Sequence, residues 1–333
     1  MSSNLAALFQ QSFAGNEPLT APLTASLAVT ERCNSHCLYC PPARVTARHD
    51  PAGDDVIGIL ADLASLGVRQ VSLTGGEPLL RHDLAAIVRA SAERDLRTII
   101  LTNGSLLTEA RGQELLAAGA AGFVVSLDSL SDEVYRLVRG RPLAATMRGL
   151  EVLAGLKQRF PDLIACATAV ITRHNGDQLG EVAAFLAAHR LGFQVQPCLD
   201  APEEEVDARD RMAMAAIAQG LIEIQAQYAG RMDAAERAYL AHIPDYLASR
   251  QLPPGHRCLA AYAVVHISAD FDLFPCWLLP TVGNLRQTSL TELWHSPAMR
   301  AGRERIQAGN CPRCWLLCDA KPSLAYRLGV EGA

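Results

Sequence analysis

The stretch ASLAVTERCNSHCLYC, residues 25–40, decides the fold. It opens on an apolar run, Ala25 to Val29, and then places Cys33, Cys37 and Cys40 at offsets of four and three residues. A short apolar run bounded by polar residues reads as a buried strand, so the cysteines occupy the loop beyond its C-terminal end. A loop of that pitch can wrap one corner of an iron–sulfur cube, because soft thiolates are the ligands such clusters select. With no fourth cysteine nearby, one iron stays open to a substrate or cofactor. Zinc is the competing occupant, but it favours paired ligands and a closed shell of four. His36 could complete that shell only by straining the loop between Cys33 and Cys37.

Outward from this stretch, short apolar runs recur at Val71–Thr74, Thr98–Thr102, Phe123–Leu127, Ile164–Ile171 and Phe193–Pro197. Continuous rather than alternating apolar character fits parallel strands buried on both faces. Helical spacing separates them. Val56, Leu60, Leu63 and Ala64 share a face, with Asp54 or Asp55 as the cap and Gly67 as the stop. Leu84, Ile87, Val88 and Ser91 repeat the spacing, as do Leu179, Val182, Ala183 and Leu186 before a stop at Gly192. Six strands with five crossovers predict a parallel α/β sheet whose chemistry gathers at the strands' C-terminal ends. Closure of the sheet is not legible, so an open Rossmann-like arrangement competes with a barrel.

Thr74-Gly75-Gly76-Glu77-Pro78 ends the second strand. Two glycines permit close backbone approach to a ligand, and the following carboxylate can accept hydrogen bonds from an ammonium group. Alone, such a turn is as readily a tight strand–helix connection.

Cys-x3-Cys-x-aromatic-Cys after strand one, together with Gly-Gly-Glu-Pro after strand two, resembles the radical S-adenosylmethionine superfamily from about Ala25 to Pro197. The resemblance implies a partial (β/α)6 TIM-like barrel. Cys33, Cys37 and Cys40 would ligate a 4Fe–4S cluster whose open iron binds S-adenosylmethionine, with Gly75, Gly76, Glu77 and Pro78 at its amino end. Tyr39 would lie along the adenine or pack in the core. By the same resemblance Asn103, Ser126 and Asp128 would face the ribose and carboxylate, and Arg139, followed by Gly140, would pair with that carboxylate. Thr168 and Thr172 on strand five, and Val195, Gln196 and Pro197 on strand six, would meet ribose and adenine. The implied chemistry is reductive cleavage of the sulfonium to methionine and a 5′-deoxyadenosyl radical, which removes a hydrogen atom from an unactivated carbon. Each of these side chains also has a plain structural reading as a strand or surface residue.

After Pro202 the strands stop. An alanine-rich region predicts two helices, Asp207–Tyr228 and Asp233–Tyr246, and Leu252-Pro253-Pro254-Gly255 reads as a linker. A cysteine-rich segment follows, with Cys258, a hairpin-like run from His266 to Pro275, Cys276, Gly283-Asn284-Leu285, Leu290-Thr-Glu-Leu-Trp294, and then Cys311, Cys314 and Cys318. It resembles the auxiliary-cluster extension called SPASM or, shortened, twitch. That resemblance implies one auxiliary 4Fe–4S cluster on Cys258, Cys276, Cys311 and Cys314, with Cys318 either replacing one of them or spare. A zinc knuckle on the same thiolates is the alternative. The expected organisation is an arm at 1–22, a barrel at 23–202, a helical connector at 203–255, a small auxiliary-cluster domain at 256–321 and a tail at 322–333. Leu5, Leu8, Phe9 and Phe13 suit one short helix in the arm.

The 333 residues are half hydrophobic and carry a net charge of −5. No basic run suggests nucleic acid, and no run approaches the ~18 apolar residues of a membrane span. The expected location is the cytoplasm, where ten cysteines in tight clusters point to metal rather than disulfides. Cys166 and Cys198 read as buried free thiols. The expected substrate is a small molecule such as a sugar, aminocyclitol or nucleoside-derived metabolite, oxidised with the auxiliary cluster taking or relaying the electron. The resemblance also implies a flavodoxin- or ferredoxin-type reductant. The short arm argues against a leader-binding domain, although a peptide-modifying enzyme stays open, as does a non-catalytic iron–sulfur electron carrier. His174, Asp200, His266, Asp270 and Asp272 are base candidates by position alone, so no catalytic base is named.

Overall fold

The computed structural model describes residues 21–40, 50–199 and 201–329. Six parallel strands form at the expected places: β1 (Thr24–Thr30), β2 (Gln70–Gly75), β3 (Arg97–Thr102), β4 (Ala120–Ser126), β5 (Ile164–Ile171) and β6 (Gly192–Pro197). Their order is strictly sequential, β6-β5-β4-β3-β2-β1. A doubly wound sheet reverses direction at a switch point. Here no reversal occurs and β6 does not return to β1, so the sheet is an open, partial (β/α)6 barrel.

Between β1 and β2 runs α1 (Gly53–Leu66), which buries Val56, Ile59, Leu60 and Leu63 and ends on Gly67 at φ 108°. Asp54 and Asp55 lie in its first turn rather than at the cap, which is Ala52. There they favour the positive end of the helix dipole. Next come α2 (Leu84–Ala92), α3 (Glu109–Ala117), and the pair α4 (Asp132–Arg139) and α5 (Ala144–Arg159) between β4 and β5. The last crossover, α6 (Leu179–Ala188), does not stop at Gly192. Arg190 takes the left-handed turn at φ 59°, while Gly192 opens β6, where a Cβ would lie 2.6 Å from Cys166 Sγ.

The connector helices are α7 (Arg211–Tyr228) and α8 (Ala234–Ser249). Asp210 caps α7 through Met212 N and Ala213 N, so that helix starts later than expected; Asp207 is instead turned onto Arg209. Asp233 and Glu236 form a capping box on α8, which runs a turn past Tyr246 because Leu247 is still buried.

The cysteine-rich segment is joined to the main sheet. Strand β7 (Val264–Ile267) pairs in parallel with β1, and the hairpin partner β8 (Asp272–Phe274) and β9 (Gly283–Asn284) extend the sheet to nine strands. Helices α9 (Leu290–Trp294), α10 (Pro297–Gln307) and α11 (Leu317–Leu328) complete it. Residues 322–328 are therefore a continuation of α11 rather than a separate tail, held by buried Leu324 and Ala325. The helix expected over Leu5–Phe13 lies outside the described residues. Among the described residues no helix is long and apolar enough to cross a membrane.

Candidate active site and auxiliary cysteine cluster

Three elements clamp the Cys33–Cys40 loop. On the first side, Gly76 N donates to Thr30 O at 2.8 Å and Glu77 N to Arg32 O at 2.7 Å. The glycines are required there because a Cβ on Gly75 would stand 2.2 Å from Thr30 O, and one on Gly76 2.0 Å from Arg32 O. Their close approach is thus to the chain's own backbone at the root of the cysteine loop. On the second side, His36 N and Leu38 N donate to Arg139 O and Val138 O, at 3.0 and 2.9 Å. Gly140 caps α4 at φ 65°, and a Cβ on it would meet His36 O at 2.7 Å. On the third side, Asn103 Nδ2 donates to Asn34 Oδ1 at 2.7 Å, and Asn34 Nδ2 to Ser105 Oγ at 3.2 Å. So held, none of Cys33, Cys37 and Cys40 is in a disulfide.

Glu77 is 1 % exposed, and its carboxylate is already engaged. One oxygen accepts from Leu79 N (3.0 Å) and the Thr102 hydroxyl (2.6 Å), the other from Asn103 N (2.7 Å). Burial raises its pKa, and these donors oppose the rise. The side chain straps the β2 and β3 loops together, with Pro78 opening the short 3-10 turn beyond.

Asp128 and Arg139 were expected on the cofactor but meet each other. Arg139 Nε lies 2.5 Å from Asp128 Oδ2, both side chains buried, and Arg139 Nη1 donates to Cys37 Sγ at 3.4 Å. Tyr39 OH donates to the same Asp128 oxygen at 2.8 Å, and the guanidinium carbon stands 5.6 Å from the Tyr39 ring centre. Asp128 Oδ1 accepts from Val170 N at 2.8 Å. Burial pulls the Arg139 guanidinium down, but Asp128, Tyr39, Cys37 and Tyr135 together outweigh it and hold the group well above its ordinary range. The residue that sequence reasoning missed is Arg141. Its Nη1 reaches Asn34 Oδ1, Asn103 Oδ1 and Ser35 Oγ at 3.1, 3.1 and 3.3 Å, while its buried Nε has no partner. The signal was the second arginine of Arg139-Gly140-Arg141.

Ser126 and Thr168 are register partners on β4 and β5, both half-buried. Gln196 shares the half-buried face of β6, whereas Val195 and Pro197 point to the fully buried one. Strand alternation therefore turns the Val195 side chain away from Gln196, leaving only its backbone for a ligand. Thr172 is 1 % exposed and donates to Asn175 Oδ1 at 2.9 Å, a turn contact rather than a free hydroxyl. Among the base candidates, His174 meets Glu204 at 2.9 Å and Asp272 accepts from Asn284 at 2.8 Å. Asp200 lies outside the described residues.

The second constellation gathers Cys258, Cys276, Cys311, Cys314 and Cys318, all free. Burial raises the Cys258 and Cys276 thiols, and it pushes Cys314 up to about 12; the Asp319 carboxylate adds to each. Ionising these thiols as ligands therefore requires a cation beside them. The loop bearing Cys311 and Cys314 is anchored by Trp315, which stacks on Tyr239 at 5.4 Å and donates its Nε1 to Tyr239 O at 3.1 Å. Soft donor sets of three and of at least four thiols fit 4Fe–4S clusters, the first with an open iron and the second closed.

A cavity of about 590 Å³ lies beside the auxiliary cysteine segment. It is lined by Leu199 beyond β6, by Tyr246 and Arg250 at the end of α8, and by Trp277 and Pro312, the chain neighbours of Cys276 and Cys311. Arg250 pairs there with Glu205 and lies over the Tyr246 ring at 5.3 Å.

Two family models match the chain, that of the radical SAM superfamily over residues 27–186 and the SPASM iron–sulfur cluster-binding domain over residues 258–315. The AdoMet-dependent heme synthase of Methanosarcina barkeri is 28 % identical over 299 residues, 83 % of this chain and 83 % of that protein. A GTP 3',8-cyclase of Limosilactobacillus fermentum is 29 % identical over 179 residues, so this chain spans about half of it, 52 %. Streptococcus suis SuiB bound to S-adenosylmethionine shares the fold, with a TM-score of 0.68 at 19 % identity, covering 90 % of this chain and 71 % of that one. With Cys33, Cys37 and Cys40 inside the first matched segment and Cys258, Cys276, Cys311 and Cys314 inside the second, the chain belongs to the radical SAM superfamily: it is an enzyme of the SPASM branch, binding S-adenosylmethionine at one 4Fe–4S cluster and carrying an auxiliary cluster.

Proposed function

We propose that this enzyme abstracts a hydrogen atom from a small-molecule substrate in a net oxidation, the auxiliary cluster accepting the electron left on the substrate. The observation that carries the reading is the cavity of about 590 Å³ beside Cys276 and Cys311. Its size falls in the ~300–1,000 Å³ range of small-molecule sites. Trp277 and Tyr246 offer flat apolar walls, and Arg250 with Glu205 offers a paired charge for a polar group. The Methanosarcina relative, named for a heme product, supports a small-molecule substrate over a peptide.

The first cluster and S-adenosylmethionine supply the radical. Cys33, Cys37 and Cys40 would hold that cluster. Ser126, Thr168 and Gln196, on one continuous face, would take the ribose and adenine, and the backbone around Gly75 and Gly76 would take the amino end. Arg141, rather than Arg139, would meet the carboxylate, because Arg139 is ion-paired with Asp128 and donates to Cys37, while Arg141 is bonded through Nη1 to the neutral oxygens of Asn34, Ser35 and Asn103. A flavodoxin- or ferredoxin-type protein would deliver the electron.

The test is 5′-deoxyadenosine formation by anaerobically reconstituted enzyme given dithionite and S-adenosylmethionine. It should exceed a Cys37→Ala control, and a low-mass metabolite fraction should stimulate it further. No yield above the control would leave a non-catalytic iron–sulfur carrier. Stimulation confined to the peptide fraction would overturn the small-molecule reading.

A further inference from the structure

His266 is wholly buried on β7, and neither ring nitrogen has a hydrogen-bond partner. Asp319, 2 % exposed in the first turn of α11, leaves Oδ1 equally unpartnered, 3.8 Å from His266 Nε2. Its other oxygen lies 3.4 Å from the Cys318 Sγ. One nitrogen, one sulfur and one oxygen thus fall within 4.8 Å of one another. A buried polar group left unmatched costs about 1–3 kcal/mol, so two such groups facing each other mark a missing partner.

We propose that His266, Cys318 and Asp319 bind a single zinc-type divalent cation, distinct from the auxiliary cluster. Ligand bonds of ~2.0–2.3 Å in a tetrahedral shell set ligand atoms roughly 3.3–3.8 Å apart; the three here lie within 4.8 Å of one another, so binding would draw them together. Imidazole, thiolate and carboxylate are each accepted by zinc, and the two anions neutralise its charge. The count of thiols agrees. Cys258, Cys276, Cys311 and Cys314 suffice for a cubane, which leaves Cys318 for another use. The bound cation would tie β7 to the start of α11. The Trp277 ring, 4.9 Å from that of His266, separates the site from the cavity.

The experiment uses the full chain with both clusters reconstituted and desalted, then titrated with Co2+ as a spectroscopic stand-in and with Zn2+ in competition. The expected result is one tightly held ion per chain, a visible ligand-field band with thiolate-to-cobalt charge transfer, and bleaching by Zn2+. His266→Ala, Asp319→Asn and Cys318→Ser should each weaken uptake at least tenfold with sulfide content unchanged. The native chain's spectrum stands independently of any variant that fails to fold. Absence of a thiolate band, or uptake undiminished in His266→Ala, overturns the proposal. So does loss of sulfide together with the ion in Cys318→Ser, which would make Cys318 a cluster ligand.

Discussion

Arg139, expected at the cofactor carboxylate, meets an acid of the chain itself. Sequence pattern marked it beside Gly140, yet pattern carries no information about which acid an arginine finds. In the fold it finds Asp128, with a second donor directed at the Cys37 sulfur. Removing one partner of a buried pair strands the other, at about 3–5 kcal/mol. Arg139→Gln should therefore lower the melting temperature of the chain markedly, whereas Asp128→Asn with Arg139→Gln together should cost less than the two singly. The donor to sulfur has an electronic consequence as well. Hydrogen bonds to cluster sulfurs raise the reduction potential, so Arg139→Lys, which keeps the charge but loses the fork, should lower the midpoint of the first cluster in a potentiometric EPR titration. The cysteines themselves were legible because thiolate ligation demands residue types at fixed intervals. Arg141 was not, since its role depends on Asn34 and Asn103 arriving from two other loops.

At the level of elements, all six barrel strands were visible as apolar runs, and the helix faces as spaced apolar residues. What stayed hidden were ends decided by single contacts, such as Asp210 capping α7 while Asp207 bonds Arg209. The glycine turns follow the same logic. Gly75 and Gly76 looked like ligand-approach positions and, with Gly140, are places where neighbouring backbones pass too closely for a Cβ. Gly140→Ala combines a φ of 65° with a clash on His36 O and should displace the loop bearing Cys37. After reconstitution, iron should fall from about eight to about four per chain, the auxiliary cluster surviving. Trp315→Ala predicts the reverse loss. It empties a fully buried site between α8 and the loop bearing Cys311 and Cys314, for about 3–5 kcal/mol, and should cost the auxiliary cluster first. Sulfide assay and the low-temperature EPR of the remaining cluster distinguish the two variants.

Across the whole molecule, barrel and auxiliary segment share one sheet. Sequence could not show this, because a four-residue strand such as Val264–Ile267 announces its burial but not its neighbour. Pairing β7 on β1 covers what would be an open barrel edge and leaves β6 and β9 as the outer strands. In hydrogen exchange, β1 and β7 amides should therefore be protected together with β2 and β3, and β9 should exchange early. Independent exchange of β7 would show the auxiliary segment to be a separately folding unit. Val265→Pro would remove a ladder donor opposite Ala25 and should loosen both cysteine sites at once. The alignment of Ser26 with His266 and Leu27 with Ile267 also makes the offset between the two redox centres a discrete quantity, counted in residues. A slip of one residue would turn His266 to the opposite face of the sheet. Were electrons to tunnel between the centres, the register would let the span they cross change only in whole steps along the strand.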